Sequence, residues 1–115
     1  MSTPESKVKA AIKKYLEGKG VWFAGRPTPP VVTGWMYMPV PMGMGVAGIP
    51  DFCGIYKGRP VYIEAKAPGG KPSDNQLKRH EEIRMAGGIV VIADHVEAVQ
   101  NAIEGLESVF SERGS

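Results

Sequence analysis

The stretch GIPDFCGIYKGRPVYIEAK, residues 48–66, decides how this chain is read. Its two arms, residues 51–56 and 59–66, are rich in β-forming residues and meet at Lys57-Gly58, a candidate two-residue turn. A two-residue turn sets the pairing: Tyr56 opposes Arg59, Ile55 opposes Pro60 and, further down the ladder, Asp51 opposes Glu64. Directly opposed residues of an antiparallel pair share a face, with Cβ atoms about 5 Å apart. Lys66, two residues beyond Glu64, shares that face as well. The spacing predicts that two carboxylates and one ammonium converge on one small hairpin.

Acidic residues are poor strand formers, and like charges opposed in a sheet are destabilising. A divalent cation between the carboxylates reverses the sign of that interaction. Mg²⁺ takes few carboxylate oxygens and keeps several waters, and Lys66 beside it would orient or polarise one of them. The hairpin therefore reads as a metal-ion scaffold for activating water. Two plainer readings stand beside this one. Asp51 would cap a strand or turn after Pro50, and Glu64 and Lys66 would form a surface pair.

Outward from the hairpin the pattern is α-β-loop-β-β-α-β-α. Ser2-Thr3-Pro4-Glu5 reads as a helix start with a Ser-x-x-Glu capping box, followed by Val8, Ala11, Ile12, Tyr15 and Leu16 at helical spacing. Residues 21–24 form a short strand. Residues 25–50 hold six of the ten Pro and four of the six Met, and read as a long ordered loop with one extended piece near residues 35–38. Ser73 caps a helix that runs to about residue 86, residues 88–93 form a continuous apolar run expected of a buried strand, and a last helix runs from Asp94 to about Phe110.

The bulk numbers exclude more than they assert. At 115 residues, 43% hydrophobic, the chain reads as one globular domain. The net charge of +2 argues for no partner, but residues 1–26 carry +4 and residues 94–115 carry −4, so the surface is polarised. The lone Cys53 rules out an intrachain disulfide and a cysteine-based zinc site, and His80 and His95 are too few for a His-rich metal motif. With no signal peptide and no long apolar run, the chain reads as soluble and cytoplasmic, with no membrane partner.

Pro50-Asp51, with Glu64-Ala65-Lys66 starting thirteen residues after the Asp, resembles the motif of the PD-(D/E)-x-K nuclease superfamily. Glu5 in the first helix, Gly48 before the Asp and Gln76 after the Lys further resemble one branch, the VRR-NUC domain, and in particular its stand-alone viral members. The resemblance spans roughly residues 4–104, and the Met- and Pro-rich segment 29–46 departs from the pattern. It implies an α/β, restriction-endonuclease-like core: a mixed sheet of about four strands flanked by helices, with the first two packed on it. It implies a Mg²⁺- or Mn²⁺-dependent deoxyribonuclease. Asp51, Glu64 and the Ala65 carbonyl would bind the metal, with Glu5 joining through water. Lys66 would position the attacking water, and Gln76 would orient Lys66 or a phosphate.

Glu5 and Gln76 each have a second reading as the Glu or Gln of a capping box, and for Gln76 the two roles are compatible only if its side chain turns away from the backbone. Arg26 and Lys71 are candidate phosphate contacts, and Lys7, Lys9, Lys13 and Lys14 candidate DNA contacts on the first helix. His80 and His95 are expected at the surface or partly packed, and Cys53 in the core. Trp35 and Tyr37 are expected to stack on bases or, more in keeping with their size, to be buried against the sheet or a partner chain. The apolar segment 29–46 suits a homodimer contact, and two paired active sites suit branched DNA such as four-way junctions. The rival readings are a non-catalytic nucleic-acid-binding module on the same fold and a small-molecule metal hydrolase.

Overall fold

The computed structural model describes residues 3–27, 30–40 and 45–114. Ser2, and Pro29, Met42 and Met44 of the 29–46 segment, lie outside the described residues. The elements are α1 (Pro4–Gly18), β1 (Val21–Phe23), β2 (Gly34–Tyr37), β3 (Phe52–Tyr56), β4 (Arg59–Ala65), α2 (Asp74–Met85), β5 (Ile89–Ala93) and α3 (Val96–Gly114).

The hairpin forms the centre of the sheet. Lys57 and Gly58 take positive φ angles of 47° and 81°, as both central residues of a type I′ turn must. The turn locks the expected register, with Tyr56 facing Arg59 and Phe52 facing Ile63. β1 adds parallel to β2, β2 antiparallel to β3, and β5 parallel to β4, giving the order β1-β2-β3-β4-β5. The sheet thus has five strands rather than about four. Gly34–Tyr37, expected as an extended piece of a loop, is a full member between β1 and β3. Gly34 and Met36 point in while Trp35 and Tyr37 point out, the alternation of a strand over only four residues. β5 is an edge strand, not a fully buried one, and leaves Ile92 37% exposed.

One face of the sheet is covered by α1 and α3. Val8, Ile12 and Leu16 of α1 and Val99 and Ile103 of α3 close over Phe23, Phe52, Ile63 and Ala65 in one core. α2 lies on the opposite face, where His80 meets Glu64 and Ile83 approaches Tyr62. The first two helices are therefore on different faces, and the partner of α1 is α3. α1 starts at Thr3, whose hydroxyl accepts a hydrogen bond from the Ser6 N–H at 3.1 Å. Glu5 is then the second helical residue, so it does not close the capping box expected of it. Among the described residues no helix is long and apolar enough to cross a membrane.

Candidate active site

The site lies at the end of the sheet where β3 begins and β4 ends. Gly48 has φ +89°, and a Cβ on it would meet the Asn75 carbonyl oxygen at 2.4 Å. The backbone thus passes flush against the start of α2 before Pro50 turns Asp51 into place. Asp51 Oδ2 accepts a hydrogen bond from the Ala65 N–H at 2.8 Å, and Asp51 Oδ1 lies 3.3 Å from Lys9 Nζ. Glu64 points away from the α1–α3 core and is only 1% exposed.

Both Glu64 oxygens are engaged from α2. Gln76 Nε2 donates to Oε2 at 3.2 Å and His80 Nε2 stands 3.3 Å from Oε1. Gln76 is also the capping-box residue: its Oε1 accepts from the Ser73 N–H at 2.8 Å, and its own N–H donates to the Ser73 hydroxyl at 3.2 Å. The two roles, expected to be compatible only if the side chain turns away from the backbone, are held at once with the side chain still bonded to it. One amide has two ends, so its oxygen caps the helix while its nitrogen reaches the carboxylate.

Glu64 carries the strongest electrostatic load. Its pKa is pushed up to about 8, first by burial, then by hydrogen bonding to and the charge of Asp51. Lys66 works in the other direction and Glu5 adds to the rise. Lys66 Nζ is 3.8 Å from Glu5 Oε1, and its side chain is 15% exposed. Asp51, Glu64, Ala65, Lys66, Gln76 and Glu5 are thus brought into one neighbourhood.

Other candidates lie elsewhere. Arg26 pairs with Glu17, about 18 Å along α1 from Glu5 at 1.5 Å per residue. Lys7, Lys14 and Lys71 are exposed. Lys13 sits 5.3 Å over the Phe23 ring. Trp35 and Tyr37 are 43% and 46% exposed, so of the readings expected of them burial against the sheet is not met. Cys53 is buried as expected, and burial together with the charges of Glu64 and Asp51 pushes its thiol up to about 11, which makes it a poor nucleophile.

Two residues of the site were not singled out by the sequence. Lys9 was one of four helix lysines, and only the fold shows that it faces Asp51. His80, expected at or near the surface, is fully buried. Its spacing of four from Gln76 on α2 is the signal that points it at Glu64. Burial, Arg84 and Lys66 hold His80 below the usual histidine range.

The donor set suits a hard divalent cation. Among the described residues no three His, Cys, Asp or Glu side chains form a metal-holding group. Mg²⁺ needs only one or two carboxylates and keeps the rest of its shell as water. Asp51 and Glu64 supply two acidic groups, the Glu64 carboxyl raised first by burial and then by Asp51, and a lysine already leans on Asp51. A cleft of about 660 Å³ opens from the pair, lined also by Tyr37, Val40, Val46, Ile49 and Gln76. It brings solvent and ligand to groups that are otherwise sealed.

No family model matches the chain. A 51-residue stretch is 35% identical to "Putative nuclease p44" of Acyrthosiphon pisum secondary endosymbiont phage 1, covering 44% of this chain. That match spans 55% of the relative's length. A solved structure described as "VRR_NUC domain" superposes with a TM-score of 0.66 at 26% identity, over 90% of this chain and 97% of that one. The mixed sheet with flanking helices is the fold of that domain.

Proposed function

We propose, from its likeness in fold and sequence to a VRR-NUC domain, that the chain is a metal-dependent endonuclease that hydrolyses DNA phosphodiester bonds. The observation that carries this reading is the buried Glu64 carboxyl pressed against Asp51 at the mouth of a solvent-open cleft. Such a pair is unfavourable in an empty protein and useful in one that binds a cation and a phosphate. Asp51, Glu64 and the Ala65 carbonyl would hold Mg²⁺ or Mn²⁺, which when bound supplies Lewis-acid polarisation of the phosphate and a more acidic attacking water.

The chain's own residues do the rest. Lys66 would hold and orient the attacking water, with Glu5 fixing its ammonium from α1. Gln76 clamps Glu64. Lys9 offsets the Asp51 charge until substrate and cation arrive. Lys7, Lys14, Lys71 and Arg26 would contact flanking phosphates.

The substrate would be branched DNA, four-way junctions included, cut by a homodimer of this soluble intracellular protein. The open face of β2 and β3, where Trp35 and Ile55 remain 43% and 50% exposed, supports a second chain docking there. Plasmid nicking and junction cleavage, each with Mg²⁺, Mn²⁺ or a chelator, test the proposal. Cutting only with the cation, and faster on junctions than on linear duplex, is the expected result. Binding of junctions without any cutting would favour the non-catalytic module.

A further inference from the structure

Gln76 and His80 sit one helical turn apart and engage the two oxygens of the same carboxylate. His80 is fully buried, and its other ring nitrogen, Nδ1, is buried with no hydrogen-bond partner. That orphan atom chooses the tautomer. A proton on Nδ1 would be an unsatisfied buried donor and would leave Nε2 presenting a lone pair to a carboxylate oxygen. With the proton on Nε2, the ring donates to Glu64 Oε1, and the partnerless Nδ1 is left as an acceptor rather than as a buried N–H donor. A buried polar ring left half-satisfied costs stability, and an apolar side chain would fill the same space without that cost.

We propose that His80 is a positioning residue for the cation site: its Nε2–H, together with the Gln76 amide, fixes the plane of the Glu64 carboxylate so that its remaining lone pairs face Asp51 and the cleft. Each carboxylate oxygen has a lone pair beyond the one its α2 donor takes. Two donors on two oxygens stop rotation about the last side-chain bond, so the ligand is ordered before the cation arrives. Outer-shell partners of this kind commonly change metal affinity by about ten- to a hundredfold. The assignment rests on the cation site proposed above.

The test compares His80→Gln with His80→Met in the full chain. The two replacements are close in length and volume, and differ in that Gln retains an N–H donor. Mn²⁺ affinity is read by calorimetric titration without DNA, and kcat and KM by junction cleavage. The expected result is an Mn²⁺ affinity weakened about tenfold or more in His80→Met, with kcat reduced at limiting Mn²⁺, recovered at high Mn²⁺, and KM for DNA unmoved. His80→Gln restores most of the affinity. Equal Mn²⁺ affinity in both variants and the parent overturns the proposal, as does equal weakening in both. If His80→Met does not fold, His80→Gln is read alone: parent-like affinity supports the role, and a tenfold loss overturns it. A parent protein that takes up no Mn²⁺ overturns the cation site itself, and this role with it.

Discussion

Asp51 accepts a hydrogen bond from the Ala65 N–H at 2.8 Å, one residue past the last ladder pair, Phe52–Ile63. A side chain thus supplies the next rung of the hairpin, and in doing so fixes one carboxylate beside another that is buried. Asp51→Asn keeps an acceptor for that rung and removes the charge. It should raise the melting temperature of the cation-free protein, because the repulsion on Glu64 falls. It should also remove most of the stabilisation by Mn²⁺, which for a ligand at a hundredfold excess over Kd amounts to about 2.7 kcal/mol. Thermal melts with and without millimolar Mn²⁺ check both halves. An undiminished Mn²⁺ response would exclude Asp51 as a ligand.

Lys66→Ala separates chemistry from folding. Its ammonium meets Glu5 at 3.8 Å outside the α1–α3 core, with the Glu5 side chain 51% and the Lys66 side chain 15% exposed, and a pair open to solvent on one side contributes little to stability, about 1 kcal/mol. Cleavage should drop by about a hundredfold or more, the scale on which a positioned proton-handling group acts. Melting temperature and Mn²⁺ affinity should stay near the parent's. Nicking at the parent rate would remove Lys66 from the chemistry.

The cation-free protein should lose stability between about pH 6.5 and 8. Glu64 has its folded pKa raised from 4.5 to about 8. The folded state therefore binds more protons than the unfolded state over that interval, and stability falls as pH rises through it. His80 has its folded pKa lowered from 6.5, so it works in the opposite direction, but only below 6.5. Asp94 and Glu107, whose pKa values are lowered, act only in the acid range. Between 6.5 and 8 the Glu64 effect dominates, since the raised Cys53 and tyrosine groups act at higher pH. Melting temperatures in chelator at pH 6.5, 7.2 and 8 should decline, and Glu64→Gln should flatten the slope. A flat profile in the parent would refute the buried-acid account.

Gly48→Ala should damage the site from outside it. The new Cβ would lie 2.4 Å from the Asn75 carbonyl oxygen, at a φ of +89°. Strained backbone of this kind costs about 1–3 kcal/mol, and the easiest relief is to move residues 48–51 off α2. Melting temperature should drop by about 4 °C or more, and cleavage should fall further than stability alone explains, since Asp51 shifts. Parent-like values in both measurements would show that the approach to Asp51 is not constrained there.

The parts of this site legible in the sequence are those set by local rules. A two-residue turn fixes register, so Asp51 and Glu64 could be paired by counting from Lys57-Gly58, and the structure keeps that register. Ser73 and Gln76 announce a capping box, which the structure forms. What was hidden depends on tertiary placement. α2 is almost wholly polar and buries only His80, so no apolar stripe marks which face meets the sheet. Lys9 differs from Lys7 only by which way α1 is turned over the strands. β2 was read only as an extended piece near residues 35–38, because four residues of alternation, one of them a glycine, are too short a signal amid prolines and methionines to mark a full strand.

The last prediction concerns the open face of the sheet. Trp35 and Tyr37 project from β2 with ring centroids 5.9 Å apart, and Ile55, paired with Trp35 across the β2–β3 ladder, joins them on that face. All three are between 43% and 50% exposed, and among the described residues no helix packs over them, since α2 sits over β4 and β5. Large apolar side chains left in water on one face usually await a partner, and closed two-fold pairs are the commonest assemblies. Met38, one residue past β2, is half-buried and packs against the core on the other face, so it is not part of this patch. Docking two such faces would set the distance between two cleavage sites. Trp35→Ser with Ile55→Ser should therefore yield a monomer that nicks DNA weakly, without preference for junctions. Light scattering at tens of micromolar and paired junction and duplex assays read the two effects. A monomeric parent would end the idea, and so would a double variant that stays dimeric and junction-selective, since the exposed aromatics would then serve something other than a second chain.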